Sequence, residues 1–229
     1  MSLTDYVRSS NQKTRKESPH KRLLGIDILV QDQLPEKVSL ERVIHRVENS
    51  IPPSFVRGID IIYVGKFAHL EEREVNSVYL DGAIFITNEQ DNEDDMLDDL
   101  VHEIAHHVET KFAQELYIDG KLGKEFIGKR MRLEKILRFH GFDTSLYDFA
   151  DTEYSKEFDS FLYKRVGYDK MESLIVGLLP SPYSATSLRE YFAIGFENFY
   201  LENGNFLQDI TPQLFTKIEE LDRIGENND

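Results

Sequence analysis

Apolar residues follow different periods in the two halves of the chain. Short β-branched runs bounded by glycine or turn residues predict strands over 23–30 and 59–64. The segment 78–86, around the pair Asp81-Gly82, is predicted to form a hairpin or a bulged edge strand. Apolar residues at helical spacing predict a helix over 39–49, which two prolines end. The first half is therefore predicted to form a small sheet with a helix.

Helical periodicity dominates from the acidic stretch 89–95 onward. Carboxylates at the start of a helix are favoured by its dipole, so this stretch predicts the beginning of a helix whose apolar positions cover 96–105. Further helices are predicted over 124–139, 153–166, 170–179, 187–202 and 212–224. Strands early and helices late predict an α+β fold without internal repeats.

The length of the chain suits one domain. With 229 residues and 40% hydrophobic content, the chain can bury a core of its own. Residues 1–22 are polar and basic, and we expect a flexible N-terminal arm there. Residues 23–229 are predicted to form a single domain, with a β-rich lobe over about 23–110 and a helical lobe over about 111–229.

Charge and composition narrow the possible partners. The formal net charge of −15 opposes binding to phosphate backbones, so we expect no nucleic-acid partner. No apolar run approaches the roughly 18 residues of a membrane helix. No signal peptide is recognisable either, so we expect no membrane partner and a cytoplasmic location. Secretion after removal of a leader stays open, as does the oligomeric state.

The segment His102-Glu103-Ile104-Ala105-His106 has a specific chemical meaning on a helix. Residues four apart lie on one helix face, so both imidazoles can bind one tetrahedral zinc ion. Glu103 is placed to take the proton from a metal-bound water that attacks a carbonyl carbon. Because the chain has no cysteine, other ligands must be histidine, aspartate or glutamate. The pattern predicts a peptidase with one Zn²⁺ per chain.

Catalytic zinc usually has a third protein ligand, and spacing alone leaves several candidates for it. They are His140, Glu153, Glu157, Glu190 and Glu197. Glu190 and Glu197 lie in a largely apolar segment, where a buried carboxylate would need a partner such as a metal. The pattern is equally compatible with both glutamates facing water.

The two segments together resemble the catalytic domain of anthrax lethal factor and its relatives, the Pro-Pro endopeptidases of clostridia. That family combines an H-E-x-x-H helix with a later helix beginning E-[FY]-F-A-x-x-F, and has a tyrosine seven residues before its glutamate. Here the later segment begins Glu190-Tyr-Phe-Ala-Ile-Gly-Phe, and Tyr183 lies seven residues upstream. The specific resemblance is confined to these two short blocks.

The resemblance implies a zincin-like metallopeptidase fold, with the active-site helix in the first half, and hydrolysis of a peptide bond in a protein or peptide substrate. It also implies Glu190 as the third zinc ligand and Tyr183 as the hydrogen-bond donor to the oxyanion. Many relatives have a second glutamate where this chain has Ile194. Support for the site is therefore expected from Asp98, Asp99 or Glu197.

Zincins present the edge of a strand, to which an extended peptide adds. Residues 78–87 are the predicted edge, with a plain role in the sheet core as the alternative. A toxin-like biological role rests on analogy alone.

Two other functions stay open at the level of sequence. A repressor-cleaving zinc protease of a mobile element would share the H-E-x-x-H helix, although its next ligand usually follows more closely. An acidic interaction protein could retain a degenerate zincin fold without activity. Zinc content separates this last hypothesis from the two protease hypotheses.

Overall fold

The computed structural model describes residues 21–202 and 204–226. The predicted N-terminal arm lies outside the described residues except for its last two, which belong to the first strand. The chain divides into two compact units. One contains residues 21–49 and Val56–Glu103, and the other contains Ser50–Phe55 and residues 104–226.

The first unit is built on a five-stranded mixed sheet. Its strands are β1 (Lys21–Leu23), β2 (Ile26–Val30), β3 (Ile61–Gly65), β4 (Ser77–Leu80) and β5 (Ala83–Thr87). The spatial order is β1-β2-β3-β5-β4. β2, β3 and β5 run parallel, while β1 and β4 pair antiparallel with their neighbours. β4 is therefore an edge strand of the described sheet.

Tight turns produce both antiparallel pairs. The predicted strand over 23–30 is divided in two because Leu24 and Gly25 have positive φ angles of 46° and 92°. The hairpin over 78–86 is confirmed, with Asp81 and Gly82 at φ 49° and 84°. Positive φ at both central residues is the geometry of a type I′ turn, whose twist matches that of the flanking strands.

Four helices accompany the sheet or lead away from it. They are α1 (Leu40–Ser50), α2 (Pro53–Val56), α3 (Ala68–Arg73) and α4 (Glu93–Lys111). The predicted helix over 39–49 is confirmed as α1, and the predicted helix over 96–105 is the middle of α4. Helices α2 and α3 were not predicted, because four and six residues are too few to show a helical period.

Helices make up the second unit. They are α5 (Ala113–Tyr117), α6 (Lys121–Phe139), α7 (Lys156–Ser160), a π-helical segment (Phe161–Val166), α8 (Tyr168–Leu174), a 3₁₀ turn (Tyr183–Ala185), α9 (Leu188–Leu201), α10 (Gly204–Ile210) and α11 (Pro212–Glu226). The helices predicted over 187–202 and 212–224 are confirmed. The one predicted over 153–166 begins later and changes to π geometry, and the one over 170–179 ends at Leu174.

The α+β class is thereby confirmed, with a small mixed sheet followed by helices. Among residues 21–202 and 204–226, no helix combines the length and apolarity that crossing a bilayer requires.

A half-buried carboxylate connects three helices of the second unit. Glu125 on α6 accepts a hydrogen bond from the hydroxyl of Tyr191 on α9, at 2.9 Å. It also accepts from the backbone N–H groups of Gln213 and Leu214, at 2.9 and 3.1 Å, in the first turn of α11. A negative charge at this helix start satisfies otherwise unpaired donors and is favoured by the helix dipole. Glu125 therefore fixes α9 against its neighbours.

A buried guanidinium group holds a loop that contacts the start of α9. Arg130 is 1% exposed and donates hydrogen bonds to the carbonyl oxygens of Asp148 and Asp151, at 2.9 and 2.6 Å. The next carbonyl, that of Thr152, accepts from the N–H of Leu188 at 2.9 Å, at the start of α9. The buried charge of Arg130 thus holds the loop 148–152, which is hydrogen-bonded to the start of α9.

Gly195 permits close packing of α9 against α11. A Cβ placed on Gly195 would lie 2.8 Å from Cγ of Leu214. We expect Gly195→Ala to lower the free energy of unfolding by about 1–3 kcal/mol, because the added methyl group overpacks this contact. Equilibrium denaturation with urea measures the change.

Gly128→Ala on α6 is the matched control, because no heavy atom lies within 4 Å of a Cβ placed there. It should raise stability by about 0.5–1 kcal/mol, through the loss of glycine's backbone entropy. Equal gains in both variants would contradict the packing argument.

Candidate metal centre

Helix α4 carries the predicted motif, and its start is well capped. Asn92 Oδ1 accepts a hydrogen bond from the backbone N–H of Asp95 at 3.0 Å, and Asn92 Nδ2 donates to the Asp95 carboxylate at 3.0 Å. The helix buries a continuous apolar stripe, made of Met96, Leu97, Leu100, Val101, Ile104, Ala105 and Val108. Burial of this stripe sets the direction of the polar side chains on the other faces.

The structure brings the three predicted metal ligands together. His102, His106 and Glu190 each offer a ligand atom, and these atoms lie within 4.8 Å of one another. Nε2 of His106 lies 3.6 Å from Oε1 of Glu190. His106 is 5% exposed, and the side chain of Glu190 is 13% exposed. In the part of the chain that the structure describes, no other group of three or more such side chains is found.

Among the candidates for the third ligand, this grouping favours Glu190. His140, Glu153, Glu157 and Glu197 belong to no such group among the described residues. Glu190 lies in the first turn of α9, where the hydroxyl oxygen of Ser187 accepts a hydrogen bond from the Glu190 N–H at 3.1 Å. The cap of the helix therefore places the carboxylate.

The donor set fits a zinc ion. Two imidazoles and one carboxylate are common ligands of catalytic zinc, and three protein ligands leave a fourth position for water or substrate. The group could hold a metal ion, and its nitrogen-rich composition favours zinc over magnesium or calcium, which prefer oxygen ligands.

Glu103 is buried and bound to the edge strand. It is 4% exposed, its Oε1 accepts from the Ser77 hydroxyl at 2.7 Å, and its Oε2 accepts from the Tyr79 N–H at 2.5 Å. Each oxygen of a carboxylate has two lone pairs, so each retains the capacity for another donor. The sequence did not identify Ser77, because its contact with Glu103 crosses from β4 to α4.

The predicted edge over 78–87 is correct only for its first part. β4 lies at the edge, whereas β5 lies between β3 and β4 and is interior to the sheet. A hairpin at the margin of a sheet can expose one arm only, because the other must pair with the next strand.

Tyr183 begins the 3₁₀ turn that leads towards α9. Its carbonyl oxygen accepts from the N–H and from the hydroxyl of Thr186, at 3.0 and 2.8 Å, so the turn is fixed. The pKa of the neighbouring Tyr168 is raised, first by burial and then by Asp159, with a smaller contribution from Tyr183. The oxyanion role of Tyr183 stays a prediction.

The second ring nitrogen of His106 has charged neighbours that sequence reasoning missed. Arg189 Nε donates to His106 Nδ1 at 3.0 Å, and Glu109 Oε2 lies 3.6 Å from the same nitrogen. Tyr117 donates its hydroxyl hydrogen to Glu109 Oε1 at 2.5 Å. Glu109 lies one helical turn after His106, and this spacing was the signal available in the sequence.

Asp99, one of the residues expected to support the site, has a clearly shifted pKa. Burial raises its pKa to about 6, and the negative charge of Glu103 adds to the rise. A hydrogen bond from Gln90 Nε2, at 2.9 Å, and the proximity of His102 oppose it. Asp99 therefore lies close to the motif but is poorly solvated.

His107 follows the motif directly in the sequence, is 5% exposed and takes no part in the metal group.

Asp99 should make the stability of the metal-free protein depend on pH. Between its usual pKa of 3.8 and about 6, the folded chain binds more protons than the unfolded chain. The free energy of unfolding should therefore fall as pH rises through this window. At neutral pH we expect Asp99→Asn to be more stable than the wild type by about 1–3 kcal/mol, and near pH 4 to be equally stable.

Urea unfolding at several pH values, in the presence of a chelator, measures this difference. Asp91→Asn is the control, because the side chain of Asp91 is 94% exposed and should show no such trend. A difference between Asp99→Asn and wild type that does not change with pH would contradict the assignment.

Comparisons of the chain with protein-family models, with curated proteins and with solved structures return no match. The assignment of the candidate metal centre therefore rests on the geometry of its own residues.

Proposed function

We propose that the chain is a zinc-dependent endopeptidase of the zincin type, similar to the catalytic domain of lethal factor, that cleaves a peptide bond in a protein substrate. The observation that carries the proposal is the convergence of His102, His106 and Glu190. The two histidines lie on α4, directly around Glu103 in the sequence, and the carboxylate lies on α9, far along the chain.

His102, His106 and Glu190 would hold the metal. When bound there, Zn²⁺ supplies a Lewis acid that lowers the pKa of a water molecule and polarises the carbonyl group of the substrate. The low exposure of His106 and Glu190 reduces competition from solvent. The single carboxylate leaves positive charge in the site to favour a developing oxyanion.

Glu103 would act as the general base. It follows the first histidine directly on α4, so its carboxylate lies beside the metal group and can take a proton from the attacking water. The same carboxyl group can then deliver that proton to the leaving nitrogen. Hydrogen bonds from Ser77 and Tyr79 hold the carboxylate in place and leave lone pairs for this proton transfer.

The substrate would bind as an additional strand on β4. The N–H of Thr87 donates to the carbonyl oxygen of Asn76, so hydrogen-bonded pairs with β5 alternate from Asn76 onward. Ser77 and Tyr79 consequently direct their backbone groups away from β5, towards the open edge. An extended peptide can pair with the backbone groups of Ser77, and it would lie beside Glu103, which already accepts from the N–H of Tyr79.

Tyr183 would donate its phenolic hydrogen to the oxyanion, as the resemblance implies. Support for this role is its position in a fixed turn just before the helix that carries Glu190.

Zinc content tests the metal site. Wild-type protein purified without added zinc or chelator should contain about one zinc ion per chain, and Glu190→Ala should lose most of it, because only two protein ligands remain. Inductively coupled plasma mass spectrometry gives the stoichiometry. Glu197→Ala is the matched control on the same helix, and it should retain full zinc content. Full zinc in Glu190→Ala would exclude Glu190 as a ligand.

Turnover tests the base. Glu103→Gln should retain zinc but lose cleavage by about 10²–10⁴-fold, because the amide cannot accept the proton. A mixed peptide library, analysed by mass spectrometry, serves as the substrate. Undiminished cleavage by the variant would refute the mechanism. Zinc binding by the wild type with no cleavage of the library, or of folded repressor-type proteins, would favour an interaction protein.

A further inference from the structure

The two ring nitrogens of His106 have different neighbours. Nε2 lies 3.6 Å from the Glu190 carboxylate, on the side of the metal group. Nδ1 accepts a hydrogen bond from Arg189 Nε at 3.0 Å, and lies 3.6 Å from Oε2 of Glu109. The state of Nδ1 matters because a histidine that binds a metal through one nitrogen carries its proton on the other.

The contact with Arg189 corresponds to the tautomer that does not bind metal. If Nδ1 accepts a hydrogen bond, the proton of the neutral ring lies on Nε2, whose lone pair is then unavailable. Metal binding through Nε2 moves the ring proton to Nδ1, which becomes a donor. Arg189 has donors only, so it cannot satisfy an Nδ1–H group.

Glu109 is the acceptor within reach. Its Oε2 lies 3.6 Å from His106 Nδ1 and 3.4 Å from Arg189 Nε, so a small movement allows it to accept from both. Its side chain is 13% exposed, and its other oxygen is held by the Tyr117 hydroxyl at 2.5 Å. Burial, and then the charge of Glu109, raise the pKa of Tyr117, so this phenol remains a donor.

We infer that Glu109 is the positioning residue of the metal centre: it accepts the Nδ1–H of His106 when Nε2 binds the metal, while Arg189 transfers its hydrogen bond from His106 to Glu109. The inference rests on the zinc site proposed above. It assigns to Glu109 the support that the sequence led us to expect from Asp98, Asp99 or Glu197.

The affinity for Zn²⁺, measured by competition with a chromophoric chelator, tests this role without any substrate. Glu109→Gln should bind Zn²⁺ about 10–100-fold more weakly than the wild type, because the amide is a weaker acceptor for a donor on a metal-bound histidine. The visible spectrum of the Co²⁺-loaded protein should also change, since the orientation of the His106 ring affects the ligand field. Glu115→Gln is the matched control, because it makes the same change at an exposed glutamate of α5 outside the metal group and should leave affinity within about threefold.

Arg189 provides a second variant that should fold, because its side chain is 51% exposed. Arg189→Met removes the donor that competes for Nδ1, so its zinc affinity should equal or exceed that of the wild type. A loss as large as that of Glu109→Gln would show instead that Arg189 orients the ring, and would overturn the inference. So would a Glu109→Gln protein with wild-type affinity and an unchanged Co²⁺ spectrum.

These results are separable from the test of the peptidase itself. Failure of the wild type to bind Zn²⁺ would overturn the metal site and the role of Glu109 together. Zinc binding that depends on Glu109, in a protein that cleaves no peptide, would support the positioning role and count against the proposed activity only.

Discussion

The candidate site depends on the way helix α4 buries one face. Its apolar stripe is withdrawn from water, and this burial determines the rotation of the helix about its axis. Once that rotation is set, the spacing of four residues places His102 and His106 one turn apart, and Glu103 on the adjoining face. The placement of the candidate ligand pair and of the candidate base is therefore a consequence of core packing and requires no special loop.

Buried and half-buried carboxylates are held by specific donors. Glu103 is bound by the edge strand, Glu109 by Tyr117, and Glu125 by the start of α11. Each of these contacts offsets part of the desolvation cost of an anion. Asp99 is less well compensated, and its raised pKa is the result. Part of the negative charge of the chain therefore lies on carboxylates inside the protein, which fix helices and orient other side chains.

The position of Glu190, the candidate third ligand, depends on a different set of constraints. Glu190 is placed by the serine cap of α9, and α9 is placed by the hydrogen bond between Tyr191 and Glu125 and by close packing at Gly195. The serine cap contacts only the backbone of Glu190, and the other two features involve neighbouring side chains on α9. The geometry of the candidate centre therefore depends on capping and packing around its carboxylate, as the placement of catalytic groups generally does.

The sequence by itself determined the elements whose signal is local. The motif on α4, the hairpin at Asp81-Gly82 and the long amphipathic helices follow from spacing, turn chemistry and capping within a few residues. Short or irregular elements such as α2, α3 and the π-helical segment gave too little periodicity to be predicted. The identity of the edge strand and the partners of Glu103 and His106 were decided only by tertiary structure. Spacing left Glu190 as one of several carboxylates and the family resemblance singled it out, while only the tertiary structure shows it beside the two histidines. Those contacts join residues far apart in the chain, and sequence spacing carries no information about which of several equivalent side chains will meet.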